Sequence, residues 1–260
     1  MIWGQISSIL GIAVMAFIAF RKPFKPQLKP LIQVALLTAL SFVLALFSWM
    51  LPIMGFPALK IGLSQLPLMV VGYVYGPTYA FLAGFSSDVI ELMSGTIATP
   101  FFGFTLNKVL VAMIPALIAQ RKSLTSVKWS TGIVLALSIA GLGYVFSQES
   151  VTLNEIVTPL TLLDKGVVAV GVVLMTTVLI VGLRWIEHSP KAKNHSSWIF
   201  SVMMVELVVQ LTLTPIWLYS MYGLPIGVSI MVRVLKSLVM IPLNGFLGFS
   251  TLNLLKRLKA

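Results

Sequence analysis

Long, uninterrupted apolar runs decide what this chain can fold into. Nine stretches of roughly bilayer-spanning length follow one another, near residues 2–20, 31–51, 62–75, 78–95, 104–120, 130–147, 164–186, 197–219 and 227–255. Only 10% of the residues are charged, where a soluble domain carries about 25%. So much apolar surface exceeds what one core can hide, so the bilayer is the expected solvent. Backbone groups in lipid must be satisfied within helices or a closed barrel. The runs are continuous rather than short alternating segments, which selects helices over a barrel. The expected fold class is therefore all-α, a polytopic membrane helical bundle.

The basic residues give an orientation. Arg21, Lys22, Lys25 and Lys29 follow the first span, Arg121, Lys122 and Lys128 the fifth, and Arg184, Lys191 and Lys193 the seventh. Lys256, Arg257 and Lys259 end the chain. With nine spans all four clusters fall on one side, which the positive-inside rule makes cytoplasmic, C-terminus included. The net charge of +11 is explained by these loops and does not call for a nucleic-acid partner. The first run lacks a charged start and a cleavage site, so it reads as a retained helix with its N-terminus outside.

There are no cysteines, which excludes disulfides, cysteine-bound zinc and iron–sulfur clusters. No phosphate loop, zinc-protease motif or nucleophile elbow occurs, and His188 and His195 sit in a basic loop. Neither an enzyme nor a resident cofactor is expected.

Function is sought in the ionisable residues inside apolar spans: Asp88, Glu91, Lys108, Glu206, Arg233 and Lys236. A charge at bilayer depth is costly, so such groups pair with one another or face a polar cavity. Asp88 and Glu91 share one helix face, and Asn107-Lys108 open the next span. A local ion pair and a proton relay are both open readings there. Arg233 and Lys236 also share a face. They need anions, supplied either by Glu206, Asp88 or Glu91 or by the carboxylate or phosphate of a ligand. Trp217, Tyr219 and Tyr222 lie near the same end, as an interfacial belt or a stacking surface for a flat ring. Ala35 and Ala39 are four apart, a spacing that admits close helix approach. Leu51-Pro-Ile-Met-Gly-Phe-Pro57 is a defined non-helical loop.

The stretch Ala39-Leu-Ser41, Leu51 to Phe56, Lys60-Ile-Gly62, Leu66-Pro-Leu68, Gly76-Pro77 and Gly84-Phe-Ser-Ser-Asp88 resembles the substrate-binding S components of energy-coupling factor (ECF) vitamin transporters, the folate-type family most of all. The pattern continues through Gly103-Phe-Thr-Leu106, Ile216-Trp-Leu218, Tyr222-Gly-Leu-Pro225, Arg233-Val-Leu-Lys236 and Met240-Ile-Pro242. The resemblance implies a six-helix core plus about three additional spans, in a bacterial cell membrane. Core helices one to four would occupy 31–120 and helices five and six 197–260. Residues 1–30 would add a helix and a basic loop, and 121–196 an inserted helical hairpin.

It also implies an importer in which this subunit captures a vitamin such as folate, or a related flat anionic metabolite. The partners would be a transmembrane coupling protein and two cytoplasmic ATPases. Ala35 and Ala39 would face the coupling protein, and the loop with Pro52, Gly55 and Phe56 would gate the ligand. Arg233, Lys236, Trp217, Tyr222, Phe104, Asn107 and Lys108 would line the substrate site, with Asp88, Glu91 and Glu206 pairing charges inside the membrane. The family pattern is broken at Thr214-Pro215, Phe102 and Asn107-Lys108, all beside that site. Two other classes stand beside this reading: a proton- or ion-coupled secondary transporter using the three carboxylates, and a non-transporting membrane scaffold.

Overall fold

A computed structural model describes residues 2–21, 23–53, 56–95, 100–120, 150–153, 156–159, 196–224 and 226–259, with isolated helical positions between 132 and 184. Its elements are α1 (Ile2–Phe20), α2 (Leu28–Leu46), β1 (Trp49–Ile53), β2 (Phe56–Ile61), α3 (Gln65–Tyr75), α4 (Pro77–Met93), α5 (Phe102–Gln120), β3 (Ser150–Leu153) and β4 (Ile156–Pro159). α6 (Ser196–Val205), a π-helical segment (Glu206–Leu213) and α7 (Thr214–Tyr222) form one continuous rod, followed by α8 (Ile226–Lys259). Five helical stretches among the described residues are long and apolar enough to cross a membrane: Trp3–Phe20, Leu28–Leu46, Phe102–Gln120, Ser197–Tyr222 and Val232–Leu255. The all-α expectation holds for the membrane-embedded body; the strands belong to two short antiparallel hairpins in connecting segments.

α5 is the hub, packed against α1, α3, α4 and α6. Its centre is the dry part of the core, with Val109, Ala112, Met113 and Ala116 buried against Met69, Val70 and Val71 of α3. Small residues set the crossings. A Cβ at Gly72 would overlap the carbonyl oxygen of Ala112, and one at Gly84 would lie 2.7 Å from the Lys108 oxygen. Both α3 and α4 therefore meet α5 backbone to backbone. Gly72→Val is expected to push α3 off α5 and cost about 1–3 kcal/mol. A lower unfolding midpoint in detergent checks this; an unchanged midpoint would mean the crossing does not depend on Gly72.

Polar bonds tie the ends of neighbouring helices. The Thr78 hydroxyl donates to the Ala19 carbonyl at 2.7 Å, and Tyr75 donates to Gln33 at 2.9 Å. At the opposite end the Phe102 N–H donates to Gln5 Oε1 at 3.0 Å. In the 132–184 region Thr176 donates to Ser138 at 2.6 Å and Lys165 to the Phe146 carbonyl at 3.2 Å. Those pairings run antiparallel on either side of the β3–β4 hairpin.

The expected defined, non-helical segment carries two strands, β1 and β2, paired antiparallel with Trp49 opposite Ile61 and Ile53 opposite Phe56, and with a register shift between Leu51 and Pro52. Pro52 and Phe56 lie in its strands; Gly55 is outside the described residues, as are the basic clusters at 121–128 and 191–193. The hairpin's second strand approaches α8.

The rod from α6 to α7 widens where the sequence demands it. Pro215 has no N–H, and its ring would collide with the carbonyl four residues back in an α-helix. The turns before it are π-helical, and the Thr214 N–H reaches the Val209 carbonyl. The Thr212 hydroxyl also donates to the Leu207 oxygen at 2.9 Å, and Thr214 to the Val209 oxygen at 2.6 Å. Such widened turns are frequent at functional sites, and this one carries Glu206 and Gln210.

Candidate solute site and the buried charges

The six intramembrane charges fall into two clusters, one between α4 and α5 and one between the π-helical segment and α8. In the first, Asp88 and Glu91 lie one turn apart on α4, and Lys108 lies early on α5. The Lys108 ammonium sits 3.0 Å from Asp88 Oδ1 and 2.9 Å from Glu91 Oε2. The Thr105 hydroxyl donates to Asp88 Oδ2 at 2.5 Å. The close approach at Gly84 makes this possible, because it brings the next turn of α4 onto the Lys108 turn of α5. Both carboxylates are buried, whereas Lys108 keeps 19% of its side chain exposed. Ionised, the cluster carries one net negative charge.

The second cluster joins α8 to the π segment. Arg233 Nη1 donates to Gln210 Oε1 at 3.0 Å, and the Lys236 ammonium donates to the same oxygen at 3.4 Å. Arg233 Nε donates to Ser229 at 3.3 Å. The Ser237 hydroxyl donates to Glu206 Oε2 at 3.1 Å, and both cations act electrostatically on the Glu206 carboxylate. Every one of these side chains is buried. Ionised, this cluster carries one net positive charge, so the two clusters balance across the bundle.

Two neutral bonds tie α5 to α7 close by in the chain, since Asn107 precedes Lys108 and Thr214 follows Gln210 by one turn. Asn107 Nδ2 donates to Thr214 Oγ1 at 3.1 Å, and Trp217 Nε1 donates to Asn107 Oδ1 at 3.0 Å. These two bonds fix the orientation of the amide and anchor α7 to α5. The Trp217 ring meets Phe101 edge-on, and Phe101 meets Phe104 in the same way. Phe104 and Tyr222, both half-buried, pack with Leu218 and Leu224 at that end of the bundle. Tyr219 faces outward.

The expected site residues are thus divided. Asn107, Trp217, Phe104 and Tyr222 form one aromatic and amide group. Arg233 and Lys236 stand beside it through Gln210, one turn before Thr214. Lys108 is engaged by Asp88 and Glu91. Of the three carboxylates offered to Arg233 and Lys236 as partners, Glu206 interacts with both. Gln210, Thr105 and Ser237 were not expected. Gln210 had a signal: it stands four residues after Glu206, on the same face of an otherwise apolar span. Ala35 and Ala39 lie on the exposed face of α2, alongside the exposed Leu36 and Leu40.

A sequence model of the family described as "ECF-type riboflavin transporter, S component" matches residues 25–184, more than half of the chain. The match takes in α2 to α5 and runs through the segment expected to be inserted; α6 to α8 lie beyond it. The curated proteins give no match.

Proposed function

This chain belongs to the family of ECF-type riboflavin transporter S components, and on that footing we propose that it captures a flat heteroaromatic vitamin beside Trp217, Asn107 and the Arg233–Lys236 pair. The protein is an integral membrane, substrate-binding subunit of an ECF importer, not an enzyme. Such a subunit works with an ECF module of coupling protein and ATPases. In this reading the exposed small residues Ala35 and Ala39 on α2 are the face on which that module docks, and the β1–β2 hairpin gates the solute. The C-terminus is assigned to the cytoplasm by the basic loops.

The observation that carries the solute reading is the buried grouping of two cations, Gln210 and Asn107 next to an aromatic set, at membrane depth. Riboflavin, whose name the family bears, offers a flat ring and neutral hydrogen-bonding groups that suit Gln210, Asn107 and Trp217. Folate is the second reading, favoured by the surplus positive charge of the Glu206–Arg233–Lys236 cluster, which a neutral flavin leaves unused.

The test is thermal unfolding of the detergent-purified protein with riboflavin, flavin mononucleotide or folate. A ligand at 100 times its Kd is expected to add about 2.7 kcal/mol of apparent stability. A shift with riboflavin supports the flavin reading, and one with folate alone the pterin reading. No shift with any of the three overturns both.

A further inference from the structure

α1 lies ahead of residues 25–184, the part matched by the family model, and the site above gives it no task. Its outward side is apolar: Trp3, Leu10 and Phe17, seven residues apart, are all exposed, as suits a helix facing lipid. Its inward side is built of small residues. Gly4, Ser8 and Gly11 stand four and three apart on one face. Ser8 is fully buried, and its hydroxyl donates to the Gly4 carbonyl at 2.6 Å. Such a face admits close approach of another helix.

What the first turns of that face meet is the aromatic group of the candidate site. A Cβ at Gly4 would lie 2.8 Å from Ser220 Oγ on α7 and 3.3 Å from Cζ of Phe101. The neighbouring Gln5 Oε1 accepts the Phe102 N–H at 3.0 Å, so α1 holds backbone as well as ring at the start of α5. From the other side, a Cβ at Gly103 would overlap the Phe101 ring and lie 2.8 Å from Trp217 Cδ2. The Phe101 ring, 3% exposed, is thus clamped between Gly4 of α1 and Gly103 of α5, with the Trp217 ring 5.8 Å away between centroids. Gly11, two turns on, makes an equally close crossing, but away from the aromatic group: a Cβ there would lie 2.7 Å from Leu106 Cδ2.

We infer that α1 is a positioning element for the solute site, in which Gly4 and Gln5 fix the Phe101 ring and, through it, the plane of Trp217 that the captured vitamin meets. This rests on the capture reading above. α1 acts on the solute only through that ring. The Trp217 indole is tied at Nε1 to Asn107, and the edge of Phe101 restricts its remaining freedom. A flat ligand then meets a surface set before it arrives, which cuts the ordering cost of binding.

The test sets Gly4→Val beside Gly11→Val in the detergent-purified full chain. Both add a branched side chain where α1 closes on the bundle, and both are expected to lower the unfolding midpoint. Only Gly4→Val is expected to weaken riboflavin binding, by about two- to tenfold, the worth of one aromatic contact. It alone is expected to change the near-ultraviolet circular dichroism of the ligand-free protein, which reads the packing of Phe101 against Trp217. If the wild type binds folate instead, folate is the ligand throughout. A wild-type Kd in Gly4→Val overturns the inference. An equal loss of affinity in both variants overturns it too, and leaves α1 as a packing helix alone. Should Gly4→Val fail to fold, Gly4→Ala, which puts one methyl against Ser220 and Phe101, is read the same way. A wild type that binds neither vitamin overturns the capture reading, and this inference falls with it.

Discussion

Lys108→Met is expected to cost about 3–5 kcal/mol of folding stability, the range for breaking a buried ion pair from one side. The cost comes from what remains. Asp88 and Glu91 are buried on α4, and the Lys108 ammonium is within 3.0 Å of an oxygen on each. Without it, two like charges share a desolvated site in which the Thr105 hydroxyl donates to Asp88. The variant Asp88→Asn/Glu91→Gln/Lys108→Met removes all three charges and is expected to recover most of the loss, because a neutral set has no uncompensated ion. Asp88→Asn alone is expected to be nearly neutral, since Lys108 keeps Glu91 as its partner. Denaturant titration of the purified protein in mild detergent reads all three. A lysine variant unfolding at the wild-type midpoint would mean that the cluster does not hold α4 on α5. The set also tests the proton-relay reading: a relay would lose uptake in Asp88→Asn despite normal stability, whereas a structural lock would not.

The pairing behind that prediction shows where sequence reading stopped. Composition and run length place the helices well: α1 and α5 fall on the expected spans, and the short α3 and α4 meet at Gly76-Pro77, between the spans expected at 62–75 and 78–95. The second span was drawn too long. α2 ends at Leu46, and Trp49–Ile53 is a strand, because an apolar run flanking a membrane helix continues hydrophobic whether it is helical or extended. Pro52 and Pro57 marked the break only approximately. Proline inside a span was a weaker signal still: Pro115 and Pro242 lie within α5 and α8 without ending them. Pro215 does not end its helix either: a π-helical segment ahead of it shifts the register.

Charge partners were the least legible part. In sequence, Arg233 and Lys236 faced three carboxylates of equal standing, and no spacing within one helix could choose among carboxylates on two others. The choice is made by helix contact. Gly84 lets α4 close on α5, which gives Asp88 and Glu91 to Lys108 and leaves Glu206 to the α8 cations. The family resemblance rested on α2 to α5 and on α6 to α8, and the S-component assignment stands. The folate type does not follow from a match to riboflavin S components that covers residues 25–184, so the vitamin has to be decided by binding.

Arg233→Met/Lys236→Met is expected to abolish vitamin binding at any concentration near the wild-type Kd, with a loss of about 2–5 kcal/mol, or roughly 30-fold to several thousand-fold in affinity. The structural complication is Glu206. With both cations gone it is a buried carboxylate held by Ser237 alone, and the resulting strain on α8 could by itself distort the site. The same double replacement on a Glu206→Gln background separates the two effects. It has no uncompensated charge, so its unfolding midpoint is expected to return close to that of the wild type. If the cations touch the solute, binding stays lost in this neutral triple variant. If they serve only to neutralise Glu206, binding returns together with stability. Gln210 sharpens the comparison, because its oxygen accepts from both Arg233 and Lys236 and is freed in every variant that removes them. Gln210→Leu in the wild-type background is therefore expected to weaken a neutral flavin more than an anionic folate, since the flavin depends on neutral hydrogen bonds while the folate carboxylates retain both cations. Equal losses for the two vitamins would place Gln210 in the framework of the cluster and not against the solute.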